Sequence, residues 1–434
     1  MKDIDAPKTE KRILWIAPRV PWPPSCGASV ANCALISALA EKGWTIDLLC
    51  LTRSGEFRDL TEISSKLGLS SVEVIPFSFW MRFGLSRMIL SFFLQLAYRE
   101  VPLTAIPFVV GRVGRGIIMK IITGEQRMIL WDGLHPMAAL ARREVSPRLQ
   151  SFEKAFHIYR AHNCESALWS QYISRAIFFL RPLLSVQAKA MATLEKKCIS
   201  LAALTLSISD SDRELLENLL PDNPGLTTVP VSMKLKLGVT DNHLLEKKRE
   251  RFSDESTPLK LLWMGGMDWW PNREGLLWFL KRVWPALMGC KQKFQLDVIG
   301  KGTQQLRSIS QGRIALHGFV PDPASYLQQA DLLIVPIFSG AGIRVKALEA
   351  ITHGIPCLGT SLGLSGIPRE GCWLSQSSED WCAILMSLTP EICRDRGNAG
   401  RRSVQQKHSP EVIGQQLDFL FSKLLQSDGN SDKR

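Results

Sequence analysis

Residues 331–364 read D-L-L-I-V-P-I-F-S-G-A-G-I-R-V-K-A-L-E-A-I-T-H-G-I-P-C-L-G-T-S-L-G-L, and this stretch decides the fold. The apolar run 332–337 predicts a buried parallel strand, and residues 355–360 predict a second one. Between them, a turn of small residues precedes a helix that is predicted from about Ile343. The pattern therefore predicts a βαβ unit, in which the glycine turn and the helix start form an anion site.

The residues of this turn and helix indicate which anion is bound. Gly340 and Gly342 allow the backbone to approach a ligand closely. Arg344 and Lys346 place positive charge at a helix N-terminus, where cations do not favour the helix itself. We therefore expect a bound diphosphate, and we expect Glu349, one turn further on, to accept hydrogen bonds from a ribose diol. The alternative is an ordinary Rossmann crossover with a surface arginine and lysine.

Residues 339–346 resemble the donor turn of a branch of the retaining family-4 glycosyltransferases, which reads Gly-Gly-Thr-Arg-Leu-Lys. The family has the GT-B architecture, an α/β fold with two Rossmann-like domains that face a cleft and a C-terminal helix that crosses back to the first domain. Its second conserved glutamate binds the nucleotide ribose, and Glu349 matches it. The first stands eight positions earlier, where this chain has Ala341. The resemblance implies sugar transfer from a nucleotide sugar with retention.

Length and composition agree with a two-domain enzyme. The chain has 434 residues, 45% of them hydrophobic and 22% charged, which is typical of globular proteins and too long for one core. The ten cysteines show neither a C-x-x-C pair nor a zinc spacing, so we expect a reduced, cytoplasmic protein. The net charge of +12 is not accompanied by a nucleic-acid-binding motif, and we expect no nucleic-acid partner.

The alternation of strand and helix patterns predicts the domain boundaries. A first βα series occupies residues 1–232 and predicts an acceptor-side domain. Residues 233–258 are polar and charge-dense and predict a linker. A second series, 259–408, predicts the nucleotide-binding domain, and 409–434 predict a C-terminal helix and tail.

Two segments of the first domain are candidate site segments because they follow predicted strands. The glycine-bearing loop that contains Gly27 leaves room for a ligand before the first helix, and it resembles the family loop that approaches the donor diphosphate. Arg160, His162, Asn163 and Glu165 resemble the family's Arg-x-His-Asn-x-Glu segment. The resemblance implies that His162 contacts the transferred sugar, while its role as a general base stays open.

Three turns of the second domain complete the predicted donor site. Gly265 and Gly266 end its first strand, and the neighbouring Trp269 either stacks on a sugar or caps the sheet. Gly302 and Val320 end two later strands. By resemblance to the family, these turns flank the diphosphate and the base.

Residues 77–120 form a basic, aromatic-rich stretch with a single acidic residue. Such a stretch can lie in the interface of an anionic membrane. It can equally be a pair of Rossmann helices with a solvated basic face. Its six basic residues are Arg82, Arg87, Arg99, Arg112, Arg115 and Lys120.

These observations predict a glycosyltransferase that moves a sugar from a nucleotide sugar to a glycan or lipid-linked saccharide, in the assembly of a cell-surface polysaccharide or glycolipid. We expect it to be cytoplasmic and peripheral on the inner face of the membrane, with no cofactor and no required metal. A nucleotide-sugar 2-epimerase of the same fold and a non-catalytic, membrane-associated nucleotide-binding protein are the alternatives. A Rossmann oxidoreductase is disfavoured because neither first strand leads into G-x-G-x-x-G.

Overall fold

The structure is a computed structural model, which describes residues 11–24, 27–53, 59–77, 100–109, 111–124, 126–141, 155–233, 258–290, 293–306 and 313–429. The chain separates into two compact units, Met1–Ser232 with Pro410–Arg434, and Met233–Ser409. Each unit is built around one parallel β-sheet that alternates with helices. The predicted pair of Rossmann-like α/β domains is thus confirmed. Most of the predicted linker, 233–258, lies outside the described residues.

Unit 1 contains a seven-stranded sheet of order β3-β2-β1-β4-β5-β6-β7. Its strands are β1 Arg12–Ala17, β2 Thr45–Arg53, β3 Ser71–Phe77, β4 Met128–Asp132, β5 Phe156–Ala161, β6 Leu204–Ser207 and β7 Leu226–Thr228. In the described part of the chain before unit 2, its helices are α1 Gly27–Glu41, α2 Leu60–Leu67, α3 Ile106–Val109, α4 Gly111–Thr123, α5 Leu134–Ala141, α6 Glu165–Arg175, α7 Arg181–Leu201 and α8 Asp210–Leu219. A short 3-10 helix, Phe178–Leu180, joins α6 to α7.

The core of unit 1 lies on both faces of this sheet. Along β1, Ile13 and Trp15 belong to one cluster of buried side chains, and Leu14 and Ile16 belong to the other. Successive residues of a strand point to opposite faces, so a strand that is covered on both sides must be apolar throughout. This is why the strand reads as a continuous apolar run in the sequence.

Unit 2 contains a six-stranded parallel sheet of order β10-β9-β8-β11-β12-β13. Its strands are β8 Leu259–Met264, β9 Phe294–Ile299, β10 Ile314–Gly318, β11 Leu332–Val335, β12 Cys357–Gly359 and β13 Cys372–Leu374. Its helices are α9 Trp270–Arg282, α10 Trp284–Met288, α11 Ala324–Gln329, α12 Val345–Thr352, α13 Ser378–Ser387 and α14 Pro390–His408, with 3-10 turns at Thr303–Leu306 and Arg369–Gly371.

The C-terminal helix α15, Pro410–Gly429, belongs to unit 1 although it follows unit 2 in the chain. It packs on α1, and a Cβ on Gly414 would lie 2.9 Å from the Ala38 carbonyl oxygen, so the two helices are in close contact. The Phe421 ring meets Trp44 edge-on at 5.4 Å. The expected return of this helix to the first domain is confirmed. Its buried face consists of Ile413, Leu417, Phe421 and Leu425.

The basic stretch 77–120 is described only in part, because residues 78–99 lie outside the described residues. In the described part, Phe108, Val113 and Ile117 are buried in the core of unit 1. Lys120 forms an ion pair with Glu73 on β3. For this part, the structure supports the interpretation as core. Among the helices of the described residues, none combines the length and the apolar composition that crossing a membrane requires.

Candidate active site

Each sheet has a point at which the strand order reverses. In unit 1 this point lies between β1 and β4, and in unit 2 it lies between β8 and β11. The loops that leave the carboxyl ends of two such strands diverge, and ligands of open α/β sheets bind in the crevice between them. The loop before Gly27 follows β1, and Gly27 is the first residue of α1. Gly265 and Gly266 follow β8, and the turn with Gly340 follows β11.

A buried carboxylate organises the switch point of unit 1. Asp132, the last residue of β4, is 0% exposed. Its Oδ1 accepts hydrogen bonds from His162 Nε2 at 2.6 Å and from Arg160 Nη1 at 2.7 Å. Its Oδ2 accepts from Asn32 of α1. Burial raises the pKa of Asp132, but the charges and hydrogen bonds of His162 and Arg160 outweigh burial and hold this pKa well below its ordinary value. Asp132 is therefore a charged anchor.

This anchor fixes the orientation of His162. A carboxylate only accepts hydrogen bonds, so the contact with Asp132 places a ring proton on Nε2 of His162 and leaves Nδ1 outside this contact. The side chain of His162 keeps 28% of its surface exposed. Arg160 is buried, and its Nη1 also donates to Asn32 Oδ1 at 2.6 Å. Arg160 therefore holds the cluster together from inside, which differs from the ligand contact expected from the sequence.

A small cavity adjoins the cluster. It has a volume of about 130 Å³, and its lining includes His162, Asn163 and Glu165. Burial, and then the negative charge of Glu195, raise the pKa of Glu165 to about 7. Glu195 of α7 is itself buried, and its carboxylate accepts from the backbone N–H groups of Glu165 at 2.9 Å and Ser166 at 3.0 Å. It caps the N-terminus of α6 and thereby fixes the cavity wall.

In unit 2, the turn after β11 is shaped by glycine. Gly340 has φ 108° and Gly342 has φ 77°, conformations that other residues rarely adopt. A Cβ on Gly340 would lie 3.0 Å from Arg344 Nη2 and 3.2 Å from the Trp269 ring. Arg344 immediately precedes α12, so the turn places this residue at the start of the helix.

Arg344 is buried between its own turn and an aromatic ring. Its Nη1 donates to the Ala341 carbonyl oxygen at 2.9 Å, and its Cζ lies 5.0 Å from the centroid of the Trp269 ring. Trp269 thus supports the guanidinium, which is neither of the two roles considered from the sequence. Its neighbour Trp270 is 57% exposed.

Lys346 connects α12 to the turn after β8. Its Nζ donates to the Met264 carbonyl oxygen and to Asn272 Oδ1, the latter at 3.0 Å. Asn272 Nδ2 in turn donates to the Gly266 carbonyl oxygen at 3.0 Å. Burial, and then the positive charge of Arg344, lower the pKa of Lys346 to about 7. Both acceptors of Nζ are neutral oxygens, so the contacts add no negative charge to this pair of cations.

The remaining predicted donor residues lie in the turns after β9 and β10 and on α12. The turns after β8, β9 and β10 are in contact, because a Cβ on Gly300 would lie 1.9 Å from the Gly265 carbonyl oxygen and Gly300 N donates to Gly318 O at 2.7 Å. Gly302 has φ 82°, and Val320, which follows β10, is half-buried. Glu349 follows Lys346 by three residues on α12, a spacing that makes side chains neighbours on one helix face.

The structure joins Arg160 and His162 through Asp132 in unit 1, and it joins Lys346 to the turn after β8 in unit 2; the roles of the predicted site residues stay predictions. Sequence reasoning did not identify Asp132, Asn32, Glu195 or Asn272 as site residues. The position of Asp132 at a strand end was the available signal, whereas no local signal marks Glu195. Among the described residues, no group of three or more histidine, cysteine, aspartate or glutamate side chains could hold a metal ion. Independence from metal stays a prediction.

Comparison with known proteins identifies a family domain within unit 2. Residues 258–388 match the family model described as "Glycosyl transferases group 1". No curated protein matches the sequence significantly. Among solved structures, sucrose-phosphate synthase from Thermosynechococcus elongatus aligns with a TM-score of 0.69 and 18% identity, over 96% of this chain and 100% of that chain.

Two further solved structures share the fold. Alr3699/HepE from Anabaena, in complex with UDP-glucose, aligns with a TM-score of 0.60 and 12% identity, over 95% of this chain and 99% of that one. The lipopolysaccharide outer core galactosyltransferase WaaB aligns with a TM-score of 0.57 and 13% identity, over 95% of this chain and 99% of that chain. The GT-B fold is thus confirmed, and with the group 1 domain at residues 258–388 the prediction of a glycosyltransferase is confirmed as well.

Proposed function

We propose that the protein transfers a sugar from a nucleotide-sugar donor to a glycan or lipid-linked saccharide acceptor, with retention at the anomeric carbon. The observation that carries the proposal is the pair Arg344 and Lys346, two cations held together at the switch point of unit 2. A diphosphate placed there would neutralise both side chains and would accept hydrogen bonds from backbone N–H groups at the start of α12. The UDP-glucose bound to the Anabaena HepE structure supports this class of donor.

In the proposed reaction, negative charge grows on the diphosphate as its bond to the sugar breaks. Arg344, Lys346 and the α12 amides would stabilise that charge, and the departing phosphate would help to deprotonate the acceptor hydroxyl on the same face of the sugar. We assign to Nδ1 of His162, whose ring is oriented by Asp132, a hydrogen bond with a hydroxyl of the sugar. Asn163 and Glu165, which line the same cavity, would contact the acceptor.

The acceptor is the less defined substrate. WaaB is a lipopolysaccharide outer core galactosyltransferase, and its similarity supports a role in assembling a cell-surface saccharide here. Attachment to the inner face of a membrane through residues 77–120 remains a prediction, since most of that stretch lies outside the described residues.

A two-step experiment tests the proposal. First, nucleotide sugars and nucleoside diphosphates are screened by thermal shift, because a ligand at 100 times its dissociation constant stabilises the protein by about 2.7 kcal/mol. Arg344→Ala should lose this shift, and Arg282→Ala, an exposed arginine at the end of α9, should keep it. No shift for any nucleotide, or equal shifts in both variants, would refute the donor site.

Second, the donor that binds is incubated with and without saccharide acceptors, and release of the nucleoside diphosphate is measured. A transferase should release it mainly when an acceptor is present. A 2-epimerase would convert the donor without any acceptor. In the transferase assay, we expect Arg344→Ala to lose about 2–4 kcal/mol of transition-state stabilisation, as is typical of electrostatic groups at such sites.

A further inference from the structure

The turn between α6 and α7 exposes four consecutive apolar side chains. Ile177 is 61% exposed, Phe178 is 78%, Phe179 is 63% and Leu180 is 40%. Single exposed apolar residues are common on soluble proteins, but a contiguous group marks an interaction surface. We call residues 177–180 the α6–α7 tip.

The α6–α7 tip has a defined structure. Arg181 Nε donates to the Ala176 carbonyl oxygen at 3.0 Å, and its Nη2 donates to the Ser174 carbonyl oxygen at 3.3 Å. These contacts close the C-terminal end of α6. Within the tip, the rings of Phe178 and Phe179 meet edge-on at 6.0 Å. The apolar side chains are therefore held outward by a hydrogen-bonded turn.

Along the chain, the charge on both sides of the tip has a single sign. From residue 166 to residue 194 the sequence contains no aspartate or glutamate, and its charged residues are Arg175, Arg181 and Lys189. All three are exposed. The nearest acids along the chain, Glu165 and Glu195, lie at the opposite end of the helix pair, where Glu195 is buried and caps α6.

We propose that the α6–α7 tip inserts into the interface of an anionic phospholipid bilayer. A leaflet offers an apolar layer for the four tip side chains and, just above it, negative headgroups for the cations that flank them. This charge complementarity favours lipid over a second copy of the chain, whose own tip would bring the same positive charge. The inference does not depend on the sugar transfer proposed above, because it rests on the tip alone.

Insertion would also fix the height of the acceptor cavity above the lipid. Helix α6 carries Glu165 of the cavity at its first residue and leads into the tip at its last. Its 11 residues span about 16 Å. The cavity would thus lie within about 16 Å of the leaflet along this helix, within reach of a saccharide that is attached to a lipid.

Sedimentation of the full-length protein with vesicles tests the proposal. The vesicles are made of phosphatidylcholine, with or without phosphatidylglycerol. We expect binding to the phosphatidylglycerol vesicles that weakens as salt is added. Phe178→Ser combined with Phe179→Ser should lower the partition coefficient about a hundredfold through lost apolar burial. Arg175→Gln, which keeps the Arg181 contacts of the turn, should lower it about fivefold at low salt.

The control variant is Phe419→Ser, which removes a phenylalanine that is 68% exposed on α15, and it should bind vesicles like the wild type. Circular dichroism and thermal unfolding check that every variant folds. Wild-type protein that ignores phosphatidylglycerol vesicles would overturn the proposal. Normal vesicle binding by the Phe178→Ser/Phe179→Ser variant would overturn it as well. So would a wild-type dimer in analytical ultracentrifugation that is absent only in that variant, since the tip would then bind a second copy of the chain. Nucleotide binding, measured by thermal shift, reports separately on the donor site.

Discussion

The lowered pKa of Lys346 predicts that nucleotide binding depends on pH. In the protein without ligand, burial and the neighbouring Arg344 bring this pKa to about 7, so half of the molecules carry a neutral Lys346 near neutral pH. A bound diphosphate favours the ammonium form. Binding therefore requires uptake of a proton above this pH, and the observed affinity should follow the protonated fraction.

The size of the effect follows from that fraction. With a pKa of about 7, the protonated fraction falls from about one half at pH 7 to about one hundredth at pH 9. The affinity for a nucleoside diphosphate should fall about fiftyfold across this window, in which the terminal phosphate, with a pKa near 6, stays ionised. Isothermal titration calorimetry at pH 8 in two buffers of different ionisation enthalpy should show uptake of nearly one proton.

Lys346→Arg is the matched control, since arginine keeps its charge at every accessible pH. Its affinity should be nearly flat between pH 7 and 9, and calorimetry should show no proton uptake. The same linkage acts on stability: between about pH 7 and 10.5 the unfolded chain binds more protons than the folded one, so the stability of unit 2 should rise with pH. A flat wild-type affinity, or an equal slope in Lys346→Arg, would refute the assignment.

Three further predictions concern stability and ligand contact. Phe421→Ala should destabilise unit 1 by about 3–5 kcal/mol, because its ring is fully buried. Phe419→Ala, at an exposed position of the same helix, should change stability by less than about 0.5 kcal/mol. Urea denaturation followed by tryptophan fluorescence measures the free energy of unfolding of both variants. Asp132→Asn should cost about 3–5 kcal/mol by leaving a buried guanidinium unpaired. Asp47→Asn, whose arginine partner is 38% exposed, should cost only about 1–2 kcal/mol, and equal losses would contradict this account. Glu349→Gln should weaken nucleoside diphosphate binding about tenfold or more, as expected for a hydrogen bond to a charged group; unchanged affinity by calorimetry would give Glu349 a structural role.

The sequence predicted those parts of the molecule whose determinants are local. The apolar runs marked the strands because both faces of each sheet are covered. The turn with Gly340 and Gly342 was readable because two glycines in left-handed conformations, two cations and a helix start lie within a few residues. The predicted strand at 355–360 is shorter in the structure, Cys357–Gly359, since pairing with neighbouring strands decides where a strand ends.

The contacts that the sequence did not predict join distant residues. Asp132 meets His162 across 30 positions, and Lys346 meets Asn272 across 74. Each pairing depends on which strands are neighbours in the sheet, and a local pattern does not contain that order. Glu195 is even harder to predict, because a glutamate within a long helix looks like any solvated residue in the sequence. It caps α6 only because α7 packs on α6.

The place of α15 in unit 1 has a consequence for the order of synthesis. The hydrogen bond from Trp44 Nε1 to Asp418 Oδ1 joins residues 374 positions apart. The ribosome therefore synthesises the whole of unit 2 before it makes the helix that covers α1. Until then, the apolar face that receives Phe421 stays open to water and to other chains. Unit 1 must therefore wait for a segment that is made after unit 2, and its N-terminal part is exposed to aggregation until that segment emerges.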